Sequence, residues 1–127
     1  MAKLVQYTLE FPIRTSSKLL YLMISTPEGL SRWFADSVDV KDDIFIFKWE
    51  GSEQKAKVVS HKENDFIKFQ WLNENKDYVW EMKIQQGSIS TEVALIISDF
   101  SDPAELDFNQ RLMSSQVTLL QRHFQSA

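Results

Sequence analysis

The side chains able to do chemistry are few, and their spacing gathers none of them into a catalytic set. The two histidines, His61 and His123, are far apart in the chain, and neither has a second histidine or a carboxylate at metal-ligand spacing. Alternation puts His61 on an outward strand face beside lysines. His123 lies near a helix C-terminus, where the cationic form is favoured. The acids occur as Asp42-Asp43, Glu50 and Glu53, Glu63 and Asp65, and Glu105 and Asp107, all in turn or helix-start positions where solvated carboxylates are usual. A general acid needs a partly buried carboxyl with a raised pKa. No acid falls on the inward face of a strand that alternation places, since Glu10, Glu81 and Glu92 all point outward. Arg14 and Arg32 flank short helices in surface positions. There is no cysteine, no serine in a nucleophile elbow and no phosphate-binding loop. The residues therefore assign no catalytic group, no metal and no cofactor.

What the chain concentrates instead is aromatic surface. Phe45, Phe47, Trp49, Phe69, Trp71, Tyr78 and Trp80 fall at alternate positions of successive strand-like segments. Together with Trp33, Met82, Met113 and Val117 they can line a cavity whose rings hold an apolar small molecule. The same rings can also fill that space, since burying each one contributes about 2–3 kcal/mol. An open cavity and a filled core are both compatible with the pattern. Inward polar groups are limited to Tyr7, Tyr78 and Ser60.

These rings need a sheet to carry them. A first strand reads from Lys3 to Phe11, with Val5, Tyr7, Leu9 and Phe11 on one face. Thr15-Ser16-Ser17 then caps a short helix bearing Leu19, Leu20, Leu22 and Met23. Thr26-Pro27-Glu28 starts a second one, with proline at the first helical position and Leu30, Trp33 and Phe34 on one side. Ile44–Glu50 and Glu53–Lys62 flank a two-residue turn at Gly51-Ser52, which sets Phe47 across from Ala56 and Trp49 across from Gln54. A second such turn at Asn64-Asp65 sets Val58 across from Trp71 and Ser60 across from Phe69. After a longer connection at Asn73 to Asp77, the segment Tyr78, Trp80, Met82 and Ile84 turns at Gly87-Ser88 into Thr91, Val93, Leu95 and Ile97. That turn pairs Met82 with Val93 and Trp80 with Leu95. All three registers put the aromatics on one face.

The chain closes with a long helix. Asp102 caps it, Pro103 takes the first position, and Glu105 completes a capping-box spacing. Leu106, Met113, Val117, Leu120 and Phe124 form one apolar stripe. Phe108, Leu112 and Leu119 form a second, nearly opposite. A helix with one sheet to cover needs one stripe, so the helix is either gripped on both sides or offers a patch for a homodimer.

Length and charge bound the rest. A chain of 127 residues with 43% apolar and 25% charged residues makes a single domain over 1–127 that buries its own core. A net charge of −4 with cations interleaved among acids gives no basic stripe for nucleic acid. No apolar run approaches the roughly 18 residues of a membrane span. The N-terminus lacks the basic and apolar regions of a signal peptide. The expected compartment is the cytoplasm.

The order of elements, an α+β curved antiparallel sheet of about six to seven strands wrapped on a long C-terminal helix, resembles the helix-grip fold of the START-like (SRPBCC) superfamily. That superfamily includes the Bet v 1 allergens, polyketide cyclases and Hsp90-ATPase-activator homologues. The stretch Ser25-Thr26-Pro27-Glu28-Gly29-Leu30-Ser31-Arg32-Trp33-Phe34 looks like the family's capped Pro-Glu turn leading into a tryptophan-bearing helix, and stands nearest the Hsp90-activator branch. The resemblance implies a cavity between sheet and helix for a lipid-, sterol- or polyketide-like compound. The glycine-rich turn that often borders that cavity is missing, because only Gly29, Gly51 and Gly87 occur. The chain also has no room for the separate N-terminal domain of the eukaryotic Hsp90 activators. The expected function is non-catalytic binding of an apolar small molecule. The alternatives are a protein-interaction module related to the Hsp90-activating domain, or a cyclase- or hydrolase-like enzyme using cavity tyrosines or His61.

Overall fold

The computed structural model describes residues 4–72, 79–86 and 92–125. The first strand, β1 (Val5–Ile13), leads into two short helices, α1 (Ser17–Ser25) and α2 (Pro27–Leu30). Six strands follow: β2 (Ser37–Lys41), β3 (Ile44–Trp49), β4 (Ser52–Lys62), β5 (Phe66–Trp71), β6 (Val79–Gln86) and β7 (Val93–Ser101). A 3₁₀ turn at Pro103–Glu105 opens the final helix, α3 (Leu106–Gln125). All seven strands form one antiparallel sheet in the order β1-β7-β6-β5-β4-β3-β2. The α+β architecture expected from the sequence is present.

Caps start the helices where serine, threonine and aspartate can accept from orphan backbone donors. Ser16 Oγ accepts from Leu19 N–H at 3.2 Å, and Thr26 Oγ1 accepts from Gly29 N–H at 3.0 Å. Asp102 Oδ1 accepts from Ala104 N–H at 2.9 Å. The turn between α1 and α2 also depends on the absence of a side chain at Gly29. A Cβ there would sit 2.3 Å from the Leu22 carbonyl oxygen and 2.6 Å from Met23 Cα, too close for any other residue.

The hairpins differ from their expected registers in an instructive way. The β3–β4 turn is Glu50-Gly51, with Gly51 at φ 81°, so Phe45 faces Ala56 and Phe47 faces Gln54. That is a shift of two residues, because the glycine takes the second turn position and supplies the positive φ there. Strands β6 and β7 pair Met82 with Ile97 and Ile84 with Leu95, a shift of four; Gly87-Ser88 lies outside the described residues. Even shifts keep every side chain on its face, which is why the aromatic face survives both corrections.

The β4–β5 hairpin differs in kind. Its loop has three residues, Glu63-Asn64-Asp65, with Asn64 at φ 64°. Between Val58 and Ser60 the register slips by one, a bulge that makes Val59 the extra residue. Beyond it Ser60 faces Lys68 on the outer side, and His61 faces the buried Ile67 on the helix side. Both placements reverse the expectation, since simple alternation cannot anticipate an inserted residue. Strand β2 gave no signal of its own, because only Val38 and Val40 alternate in it.

The core lies between the concave sheet face and the helices. Trp80 is stacked on Phe69 at 4.8 Å, on Trp71 at 5.2 Å and on Phe34 at 5.3 Å between ring centroids. Phe47 meets Phe34 edge-on at 5.2 Å and Trp71 at 5.6 Å, offset and edge-to-face geometries that favour ring pairs. Helix α3 covers this layer with Met113, Val117 and Leu120, all buried. Its second stripe is not gripped: Phe108 is 66%, Leu112 48% and Leu119 50% exposed.

Candidate ligand-binding cleft

Phe34, just beyond α2, fixes one wall of a cleft at the end of the sheet where β1 starts and β7 ends. Its carbonyl oxygen accepts two hydrogen bonds, from Trp49 Nε1 at 3.0 Å and from Gln116 Nε2 at 2.8 Å. The first holds the end of β3 and the second holds the middle of α3. Below them, Asn109 Nδ2 donates to Ser101 Oγ at 2.8 Å, and above them Gln121 Nε2 donates to the Pro12 carbonyl at 3.0 Å. Side-chain amides thus tie α3 to the β1–β7 edge of the sheet and to the segment after α2, and a gap lies beside Asn109 and Gln116.

That gap has a volume of about 730 Å³. Its apolar walls are Tyr7, Phe34, Trp49, Trp71, Leu112 and Met113, and its polar lining includes Gln54, Asp99, Asn109 and Gln116. The volume is in the range of pockets that hold a small organic ligand.

Of the aromatic set read from the sequence, the structure brings Trp49, Trp71 and Met113 to this cleft. Trp33, Phe47, Phe69, Trp80, Met82 and Val117 lie in the packed interior behind it. Phe45 borders a second, smaller hollow at the opposite end, and Tyr78 lies outside the described residues. Trp33 staples the helices, its Nε1 donating to the Met23 carbonyl at 2.9 Å. The rings in the middle of the sheet fill their own space, while those at its end border the gap.

Asp99 is the residue that sequence reasoning missed. It pairs with Tyr7 across β1 and β7 and lines the cleft, so it is an inward-facing acid, contrary to expectation. Its Oδ1 accepts from Phe100 N–H at 2.7 Å, which favours the ionised form. Burial has the larger effect and pushes the carboxyl up to about 6. The signal was available: continuing Val93, Leu95, Ile97 by two puts residue 99 on the same face. The aspartate had broken an apolar run and so read as its end.

The second hollow, about 430 Å³, lies between α1 and the β2–β3 and β4–β5 ends. There the bulge brings His61 Nδ1 to 3.4 Å from Tyr21 Oη, and Asp42 and Asp43 border it. The Tyr21 hydroxyl is raised in pKa by burial and then by Glu63. Among the described residues no group of three or more acidic, histidine or cysteine side chains gathers to hold a metal ion. No helix among them is long and apolar enough to cross a membrane.

A family model described as a START-like superfamily domain matches residues 1–125. The chain belongs to the START-like superfamily. No curated protein matches it. A START-like chain of this shape has solved relatives. A Bacteroides fragilis protein is 33% identical, covering 97% of this chain and 92% of its own, with a TM-score of 0.65. The Aha1 dimer from Colwellia psychrerythraea is 13% identical over 94% of this chain and 96% of its own, with a TM-score of 0.79. XoxI from Bacillus cereus is 14% identical, covers 96% of each chain and has a TM-score of 0.82. The last two show likeness of fold. The START-like superfamily commonly binds hydrophobic ligands.

Proposed function

We propose that this START-like domain binds an apolar, ring-bearing small molecule in the cleft between the sheet end and α3, without transforming it, and that it does so in the cytoplasm. The observation that carries this reading is the gap itself. Two indole rings, Trp49 and Trp71, stand at the edge of a filled aromatic core and border about 730 Å³ instead of packing against a further layer. Ring faces of this kind hold flat apolar molecules through area and offset stacking. Among the described residues no histidine or cysteine lines the cleft.

Mass spectrometry of the purified protein under native conditions, with solvent extraction, tests this directly. A bound apolar compound, or saturable quenching of tryptophan emission by sterol-, lipid- or polyketide-like probes, is expected. A protein that is empty and unresponsive to all of them sinks the reading. Trp71→Ala should weaken probe binding about tenfold, the loss of roughly 1–1.5 kcal/mol of ring contact.

A second reading concerns assembly, and the exposed stripe Phe108, Leu112 and Leu119 favours it. We infer that a second copy of the chain covers this stripe; a START-like neighbour of known structure is an Aha1 dimer. A solution mass equal to one chain at micromolar concentration would count against it.

A further inference from the structure

We propose that the cleft selects a ring-bearing molecule that carries a protonated amine, with Asp99 as the counter-ion, and rejects acids of the same shape. This rests on the cleft being a binding site, and it adds the class of compound that enters.

The charged part of the lining has a one-sided character. Two carboxylates, Asp99 and Glu105, border the gap, and among the described residues no lysine, arginine or histidine does. Among the described residues Asp99 has no cationic partner; its one hydrogen bond is the Phe100 N–H on Oδ1. The neighbouring amides each spend a donor on the protein itself, Asn109 on Ser101 and Gln116 on the Phe34 carbonyl. Each amide keeps its second N–H and its carbonyl oxygen, so the amides favour neither charge and the carboxylates set the sign of the lining.

An anionic ligand entering here meets two like charges and, among the described residues, no compensating base, which costs more as the site is desolvated. An ammonium meets the Asp99 carboxylate and the faces of Tyr7, Trp49 and Trp71, whose quadrupoles attract cations. The titratable groups facing Asp99 are Tyr7 on the adjoining strand and Glu105 at the start of the C-terminal helix. Neither is a base, so neither replaces an ammonium. The positive charge of an arriving ammonium offsets the desolvation that pushes Asp99 up to about 6, so binding draws the carboxyl toward its ionised state.

Calorimetric titration of the whole chain with three probes of one skeleton tests the assignment: 2-naphthylmethylamine, 2-naphthylmethanol and 2-naphthylacetate. At pH 7.5 the amine is expected to bind about tenfold or more tighter than the alcohol, and the acid more weakly than either. Asp99→Asn should bring the amine to within about twofold of the alcohol and leave the alcohol unchanged. On the unaltered protein the amine preference should fade as pH drops through about 6, a readout independent of whether the variant folds. An acid or alcohol that binds as tightly as the amine, a preference that survives Asp99→Asn, or a flat pH profile overturns the assignment while leaving the cleft a binding site. Failure of all three probes to bind removes both.

Discussion

The middle of the sheet and its open end are made of the same kinds of ring and behave differently. In the middle, Phe47, Phe69 and Trp80 have no exposed surface and pack on one another and on Phe34. At the end, Trp49 and Trp71 keep one side against that stack and turn the other to a gap. The difference is one of neighbours and has little to do with residue type. The middle rings are covered by Val117 and Leu120 of α3, whereas over the end rings the helix presents Asn109, Met113 and Gln116. Two of these are tied down by hydrogen bonds to other parts of the chain, so they cannot collapse onto the indoles. A core and a pocket can thus be continuous, and what divides them is where the helix changes from branched apolar to amide side chains.

The sharpest way to break this comparison is to truncate one ring from each region. Phe69→Ala, in the middle, should cost about 3–5 kcal/mol of stability in urea denaturation, the usual loss for a fully buried aromatic. Trp71→Ala, at the end, should cost distinctly less, about 1–2 kcal/mol, because the cleft already leaves one face without partners. Equal losses would show that the end rings are as much core as the others. Gly29→Ala should cost about 1–3 kcal/mol by forcing α1 and α2 apart, with the same denaturation series as the check.

A subtler distinction is electrostatic. Asp99 has its pKa raised on folding from an ordinary 3.8 to about 6, so the folded state favours the protonated carboxyl. The folded state is not penalised below the unfolded value, and it loses stability as pH rises through about 6. Asp99→Asn keeps the hydrogen bond from Phe100 and is expected to gain on the order of 1–3 kcal/mol at pH 8, and nothing at pH 3. Thermal denaturation at the two pH values checks this. No comparable change is expected in the middle of the sheet, where no carboxylate is buried. The smallest effect should come from the α3 stripe. Phe108→Ser with Leu119→Ser should alter chain stability by within about 0.5 kcal/mol per site while abolishing any dimer seen by sedimentation.

Much of the fold was legible because alternation is insensitive to even errors of register. The β3–β4 and β6–β7 registers were each misplaced by an even number of residues, and every described ring of these strands stayed on its face. The bulge at Val59 shows the limit: one inserted residue turned His61 inward and Ser60 outward, and no local residue type announces it. The cleft was less legible than the core for a related reason. Sequence pattern identifies which side chains face inward, and Trp49, Trp71 and Met113 were found that way. It does not identify where inward space is left over, which depends on the hydrogen bonds of Gln116 and Asn109 to distant backbone and side chain. Asp99 was missed because a charge at the end of an apolar run reads as a boundary, when here the strand continues through it to Ser101.

The Phe34 carbonyl ties Trp49 and Gln116 to one atom, and this has a mechanical consequence. The α2 exit, the β3 tip and the middle of α3 meet there as spokes on a hub, so displacing the α2 exit would break both bonds at once. Under the proposed function, these bonds join three walls of the cleft to one atom before any occupant arrives.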